Sequence, residues 1–333
     1  MKQNATRLTA LLLALVMTTT LALAANKSGY SDVPDKNWAS QSIAQCKQYN
    51  LLQGIGNGKF GLGQKMTRAA YAAALCRLMG WKTVTPEKGS YTDNQDAKKW
   101  YYSAIETASA HDVFSGHSTT CRPNDPITRE EMAAMTVRAL GYSTLSGTVQ
   151  DECPFTDVST NPGYITLAWR MGLVVGMNLT TFAPKNDTTR EQAAAVLLRA
   201  YNGLKAKVSV TSVSAAPSGA VPLSPRAAVE QVYDAAVKAG KGGSVVINAV
   251  PAAQSVKGGK VGALRELTQD ELSAYLNDSA VQKSHSNRFD SSYLLCKERD
   301  GSTTVAWYES EADIAEKTEL CKLLGIKTVY VLK

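Results

Sequence analysis

Three arginines recur in one setting along this 333-residue chain. Each directly follows a threonine, as Thr67-Arg68, Thr128-Arg129 and Thr189-Arg190, and the pairs stand 61 residues apart. Each pair opens an alanine-rich stretch of helical composition. A cation at the first helical position opposes the positive end of the helix dipole, so a misfit that recurs three times asks for a reason. Free N–H groups at a helix start, with a guanidinium beside them, can hold a carboxylate through two-pronged hydrogen bonds. The pattern predicts that Arg68, Arg129 and Arg190 each meet an acidic group on a ligand. A surface arginine paired with an aspartate of the fold is the competing reading, and the spacing leaves both open.

Other chemistries find less support. Six cysteines, Cys46, Cys76, Cys121, Cys153, Cys296 and Cys321, lie far apart without Cys-x-x-Cys or a histidine at ligand spacing. Neither zinc nor a thioredoxin-like centre is indicated, and no metal or cofactor is expected. Cys46, Cys76 and Cys321 fall on apolar helical faces, where a thiol packs as a small hydrophobe. Buried free thiols are the favoured reading, with a Cys46–Cys76 bridge as the alternative. His111, His117 and His285 are isolated in sequence. Glu266, Asp270 and Glu271 gather at a helix start, where dipole complementarity and capping explain them better than acid–base work.

The elements that must position the arginines form a repeat. Each copy begins with an aromatic two residues before an aspartate (Tyr30/Asp32, Tyr91/Asp93, Phe155/Asp157). Ile43, Ile105 or Ile165 follows, and Gly54, Gly116 or Gly176 comes eleven residues later. The run from Ile to Gly reads as a first helix with the glycine as its stop or the turn beyond it. A polar loop leads to the Thr-Arg helix, and Arg77, Arg138 or Arg199 stands ten residues past the threonine. Thr128 with Glu131 and Thr189 with Gln192 form predicted capping boxes. The first copy has Ala70 at that place, so its cap should be weaker, by about 1 kcal/mol at most.

These residues resemble the S-layer homology domain, in three tandem copies across about residues 28 to 203. The motifs are Tyr30-Ser31-Asp32-Val33 with Trp38-Ala39, Phe155-Thr156-Asp157-Val158, Gly172-Leu173-Val174-Val175-Gly176 and Phe182-Ala183-Pro184, each upstream of Thr-Arg. The resemblance implies a pseudo-threefold unit in which the copies share a central helical bundle. Grooves between copies then take an anionic secondary cell-wall polysaccharide, commonly one carrying pyruvyl ketals. On that analogy Asp32, Asp93 and Asp157 join the three arginines as contacts. Trp38 and Trp100 add an apolar wall against a sugar face, unless they simply pack in the core. Departures from the motif are Ala70 in copy one, Asn94 after Asp93 in copy two, and Thr160 in copy three where the spacing expects tryptophan. Tyr164 is the substitute for that tryptophan, and the departures imply at least one weakened groove.

Composition fits an exported globular protein, 44% hydrophobic and 20% charged. Lys2 and Arg7, the apolar run Leu8 to Leu23 and the small residues Ala22 and Ala24 predict a signal peptide over residues 1–24. The formal charge is +7, and +5 once Lys2 and Arg7 are removed. That excess favours acidic partners but selects no nucleic acid, because the cations are scattered and no reading motif is present. No later segment is apolar enough to span a membrane.

The expected domains are repeats at 28–82, 89–143 and 153–203, a linker at 204–225 and a small α/β domain at 226–333. The linker rests on Val, Ser, Ala, Pro and Gly without helical period. Helices are predicted over Arg226–Ala239, Thr268–Leu276 and Glu311–Leu324. Strands are predicted over Ser244–Val250, around the Asp300-Gly301 turn between Tyr293 and Tyr308, and over Thr328–Leu332. The stretch from Leu267 to Val331 is similar to the end of a family 18 glycoside hydrolase barrel, through Thr304-Val305-Ala306-Trp307-Tyr308-Glu309 and Leu323-Leu324-Gly325-Ile326. That family's Asp-x-x-Asp-x-Asp-x-Glu string is absent, and about 110 residues cannot close a barrel of roughly 250. The expected fold is therefore multidomain, a mainly α bundle followed by a small non-catalytic α/β module with a possible glycan or protein partner. The expected function is wall anchoring. A wall-associated glycosidase or its glycan-binding accessory subunit is the alternative, and a lattice-forming protein is disfavoured because little chain remains beyond the repeats.

Overall fold

The computed structural model describes residues 28–114 and 118–333, so the signal-peptide expectation, Gly116 and His117 lie outside the described residues. The chain divides into two compact units, up to Tyr201 and from Asn202 onward. Together they are mixed α/β with a helical N-terminal region.

In the first unit each repeat contributes a short helix and an Arg-led helix. These are α1 (Ser40–Gln48) and α2 (Arg68–Met79), α3 (Tyr102–Ala110) and α4 (Arg129–Ala139), then α6 (Pro162–Arg170) and α7 (Arg190–Lys205). A further short helix, α5 (Ser143–Thr148), precedes α6. Small side chains let the Arg-led helices approach closely: Ala72, Ala74, Ala133, Ala134, Ala193 and Ala194 are almost wholly buried. Tyr71 on α2 reaches Thr136 on α4, hydroxyl to hydroxyl at 2.6 Å.

The three loops before these helices close on one another. Met66 donates its N–H to the Thr188 carbonyl, Thr188 to Ile127 and Ile127 to Met66, each at 2.8 Å. The first helical amides continue the stitching: Arg68 donates to Asp125, Arg129 to Asn186 and Arg190 to Gln64, at 2.9–3.0 Å. The expected free N–H groups are therefore corrected, because the repeats use them to bind each other's backbone.

The motif glycines have a steric cause. A Cβ on Gly54 would lie 2.6 Å from the Tyr30 ring and one on Gly176 2.5 Å from the Phe155 ring. At these two positions the glycine thus makes room for a loop carbonyl (Lys59 or Asn178) and for the aromatic that opens the motif, and α1 already ends at Gln48, well before Gly54. Caps follow the sequence in two copies. Thr67 accepts from the Ala70 N–H with no return bond, and Thr128 and Glu131 form the full box. In the third copy only Gln192 reaches back to the Thr189 N–H, while the Thr189 hydroxyl is buried without a partner.

The second unit begins earlier than expected. The stretch 204–225, read as a linker, supplies β1 (Ser209–Val213) and β2 (Val221–Pro222). With β3 (Ser244–Asn248) and β10 (Thr328–Leu332) they form a parallel sheet in the order β1-β10-β3-β2. Thr211 and Ser212 separate Val210 from Val213, so β1 shows neither an apolar run nor a regular alternation; its pairing with β10 decides the conformation. Inner strand β3 buries Val245, Val246 and Ile247 in a row, as strands covered on both faces do, while β10 buries Val329 and Val331 on one face.

A second, antiparallel sheet orders β5 (Lys260–Val261), β4 (Ala252–Lys257), β9 (Thr303–Tyr308), β8 (Ser291–Lys297) and β7 (Gln282–Ser286), with β6 (Arg265–Glu266) beside β4. Its core of Ala253, Leu294 and Ala306 packs against Leu272 of α9 (Gln269–Asn277). Helices α8 (Val229–Ala239) and α10 (Glu311–Leu323) complete the unit. Thr268 and Glu271 form the predicted capping box, and Glu271 also meets Arg265 at 2.8 Å.

The cysteines are free. Cys46, Cys121 and Cys321 are buried, and burial pushes each thiol up to about 12. Cys46 donates to the Ala194 carbonyl and Cys76 to that of Ala104, so these two thiols turn to different partners.

Candidate functional site: three inter-repeat clefts

Each arginine of a Thr-Arg pair reaches out of its own repeat. Arg190 donates from Nε to the Phe60 carbonyl (2.8 Å), Arg68 to Cys121 (2.9 Å) and Arg129 to Phe182 (2.9 Å). A second donor follows in two cases, Arg190 Nη2 to Gln53 (2.6 Å) and Arg129 Nη2 to Val175 (2.7 Å). Each guanidinium also lies over an aromatic ring of the repeat it visits: Arg190 over Phe60, Arg68 over Phe114 and Arg129 over Phe182. Burial pulls all three below the ordinary arginine pKa, yet a guanidinium stays charged throughout the working range.

The aspartates serve the same loops from the other side. Asp32 accepts N–H bonds from Phe60, Gly61 and Leu62; Asp93 from Cys121 and Arg122; Asp157 from Phe182 and Ala183. For Asp32 and Asp93 desolvation opposes the charge, but these donors outweigh it and hold the carboxyls below their usual range. For Asp157 the Phe182 N–H is the largest cause of the same lowering. The structure thus gives each aspartate a loop-fastening job.

Three clefts lie where repeats meet. The first is lined by Arg190 of the third repeat, Arg77 and Gly54 of the first, and Trp100 of the second. The second is lined by Arg68, by Phe114, Arg138, Glu130 and Glu131, and by Asn161 of the third repeat. The third is lined by Arg129, by Gly176 and Arg199, and by Trp38 of the first repeat. Trp38 and Trp100 are 63% and 66% exposed, which disposes of the core-packing alternative. Asp32, Asp93, Asp157 and Tyr164 are not among the described lining residues.

Arg77, Arg138 and Arg199 were visible as repeat positions but were not expected to line the clefts. Arg77 donates to the Leu51 carbonyl (3.3 Å) and Arg199 to Leu173 (3.0 Å). Arg138 turns instead to Tyr164, whose hydroxyl accepts from Nε at 3.2 Å and whose ring lies 4.4 Å away. Tyr164 therefore engages an arginine, while Thr160 holds the position equivalent to Trp38 and Trp100 and donates to Glu130 (2.6 Å). The 61-residue recurrence of Arg77, Arg138 and Arg199 was the signal that could have added them.

His111, His285 and the buried Glu309 have partners of their own. His111 stacks on Trp81 at 4.0 Å. His285, expected to be isolated, has Nε2 3.2 Å from the Asp313 carboxylate. Lys317 and Glu309 form a buried pair at 2.6 Å, with Ser291 donating to Glu309 at 2.8 Å. No cluster of three or more His, Cys, Asp or Glu suited to a metal, and no helix long and apolar enough to cross a membrane, occurs among the described residues.

Comparison with known proteins places this geometry in a class. The S-layer homology domain family matches residues 29–72, 90–133 and 154–194, so the chain carries three S-layer homology domains. Relatives include the S-layer protein of Bacillus thuringiensis subsp. finitimus, 28% identical over 65% of this chain and 26% of that protein. The S-layer protein sap of Bacillus anthracis is 28% identical over 52% of this chain and 21% of its own length. The amylopullulanase of Thermoanaerobacterium thermosulfurigenes is 31% identical over 50% of this chain but only 9% of that enzyme. The chain thus spans about a quarter or less of these relatives. Among solved structures, the spore cortex-lytic enzyme SleL of Bacillus megaterium aligns over 61% of this chain and 42% of that one, at 16% identity and a TM-score of 0.25.

Proposed function

We propose that this is an exported cell-surface protein whose three S-layer homology domains, arranged with pseudo-threefold symmetry, anchor it non-covalently to an anionic cell-wall polysaccharide. The observation that carries the reading is the clefts, which combine guanidiniums held by backbone carbonyls with, in two of three, a tryptophan exposed to solvent. Buried backbone contacts pre-orient each arginine, so little side-chain freedom is lost when an anion arrives. The exposed indole supplies a flat apolar face for a sugar ring, and the guanidiniums supply the complement to a carboxylate such as a pyruvyl ketal. The three aspartates contribute by fastening the loops that carry the arginines' carbonyl partners. The C-terminal α/β unit is a non-catalytic module in this reading, since Glu309 and Lys317 are engaged with each other.

The test is co-sedimentation of the full chain with purified cell-wall sacculi. Binding should saturate, weaken with salt and vanish once the polysaccharide is stripped by mild acid. Equal binding to stripped and intact sacculi would remove the polysaccharide from the account.

A further inference from the structure

The three clefts are built from equivalent parts but differ in charge. Around the first and third, the described lining includes two arginines, a tryptophan and no carboxylate. The middle cleft contains Glu130 and Glu131. Glu131 is not a bystander there. Its carboxylate lies 3.0 Å from Arg68 Nη1, pairs with Arg122 and accepts the Thr128 N–H at 3.0 Å. Two guanidiniums and a backbone N–H around one carboxylate are the chemistry expected of an anion site, here satisfied from within the chain.

The sequence shows the arrangement to be particular to this repeat. The positions equivalent to Glu131 are Ala70 and Gln192, neither of them acidic. Arg122, the second cation on Glu131, stands where the other copies have Gly61 and Ala183, the residues that give their N–H to Asp32 and Asp157. The acid and its extra cation therefore occur together, in one repeat only. Thr160, which stands at the tryptophan's place in the repeat, is bonded to Glu130 of this cleft, and Lys185 also holds Glu130 at 2.6 Å. An entering anion would meet two carboxylates and a guanidinium already occupied.

We propose that Glu131 fills the middle cleft as an internal stand-in for the ligand's carboxylate, so that the chain grips the wall polymer through the first and third clefts alone. This rests on the anchoring reading above. Two sites on one rigid unit gain from effective concentration, whereas a third, self-filled cleft adds nothing to the grip.

Isothermal titration of the full chain with a synthetic pyruvylated methyl hexoside reads the number of sites. The expected stoichiometry is two for the parent, with Trp38→Ala and Trp100→Ala each weakening one of the two sites by roughly tenfold. Glu131→Gln should raise it to three. The site opened by removing the Glu131 charge, which lacks a tryptophan, should be of that weaker kind. Glutamine is tolerated at this place, since Gln192 makes the same return bond to the Thr189 N–H, so the variant keeps its helix cap. Three sites in the parent, or two in Glu131→Gln, would overturn the inference while leaving anchoring intact. No heat from the parent, together with no retention on intact sacculi, would overturn anchoring itself and this inference with it.

Discussion

Asp32 and Arg190 hold the same residue from opposite ends of its backbone: Asp32 accepts the N–H of Phe60 at 2.7 Å, and Arg190 donates to its carbonyl at 2.8 Å. Asp157 and Arg129 meet in the same way through Phe182, and Asp93 and Arg68 through Cys121. In each case the aspartate comes from the visited repeat and the arginine from its neighbour. The two motif residues are thus coupled without forming an ion pair.

Removing one side of that grip should loosen the other. Asp32→Ala is expected to cost about 1.5–3 kcal/mol, the range for hydrogen bonds to a charged group. In a double-mutant cycle with Arg190→Ala the two losses should fall short of additivity, as they do for residues sharing a partner. Urea unfolding of the four proteins measures both quantities, and strict additivity would show that Phe60 transmits nothing.

The three aspartates also set an acid limit. Their folded pKa values lie below the unfolded value of about 3.9, so the native state binds fewer protons and its advantage is full above that value. Stability should hold from neutrality down to about pH 5 and fall as the pH drops through the folded pKa values. Asp157→Asn should flatten that fall in melting curves recorded between about pH 3 and pH 7, because asparagine does not titrate there.

The exposed tryptophans separate binding from folding. Trp38→Ala and Trp100→Ala should change stability by no more than about 0.5 kcal/mol, as for surface substitutions. Each should nevertheless weaken retention on sacculi by roughly tenfold, or about 1.4 kcal/mol. A drop in melting temperature that matches the loss of retention would return these residues to a packing role.

Helix caps should rank differently from what the bare motif suggests. Thr128→Ala removes a complete box and should cost about 1 kcal/mol, whereas Thr189→Ala removes a hydroxyl that already lacks a partner and should cost little. Thermal denaturation of the two variants decides the order.

In the second unit the Glu309–Lys317 pair is 4% and 1% exposed, so breaking it strands a charge. Lys317→Ala should cost about 3–5 kcal/mol, and a double replacement by leucine and methionine considerably less. Chemical denaturation of the single and double variants gives the comparison.

Much of the first unit could be read from residue spacing because one motif is written three times. Thr128 with Glu131 gives the cap, and Trp38 and Trp100 mark the cleft walls before any coordinates. What could not be read depends on contacts between repeats. The amides of Arg68, Arg129 and Arg190 look free in a single helix, and only the neighbouring loop shows their carbonyl partners. Glu131 likewise reads as half of a capping box, and nothing local says that Arg68 and Arg122 converge on it. In the second unit β3, β8, β9 and β10 announce themselves by apolar runs or a turn, while β1 takes its conformation from pairing with β10, more than 100 residues away. The short strands β5 and β6 are similarly products of their neighbour β4.

The loop formed by Met66, Ile127 and Thr188 has no first or last member. A fragment carrying two copies would expose an unmatched donor at one edge and an unmatched acceptor at the other, an invitation to pair with another fragment. Gain or loss of a single copy would therefore break the closure, so the ring ties the three copies into one set even where their cleft residues differ, as Glu131 differs from Ala70 and Gln192.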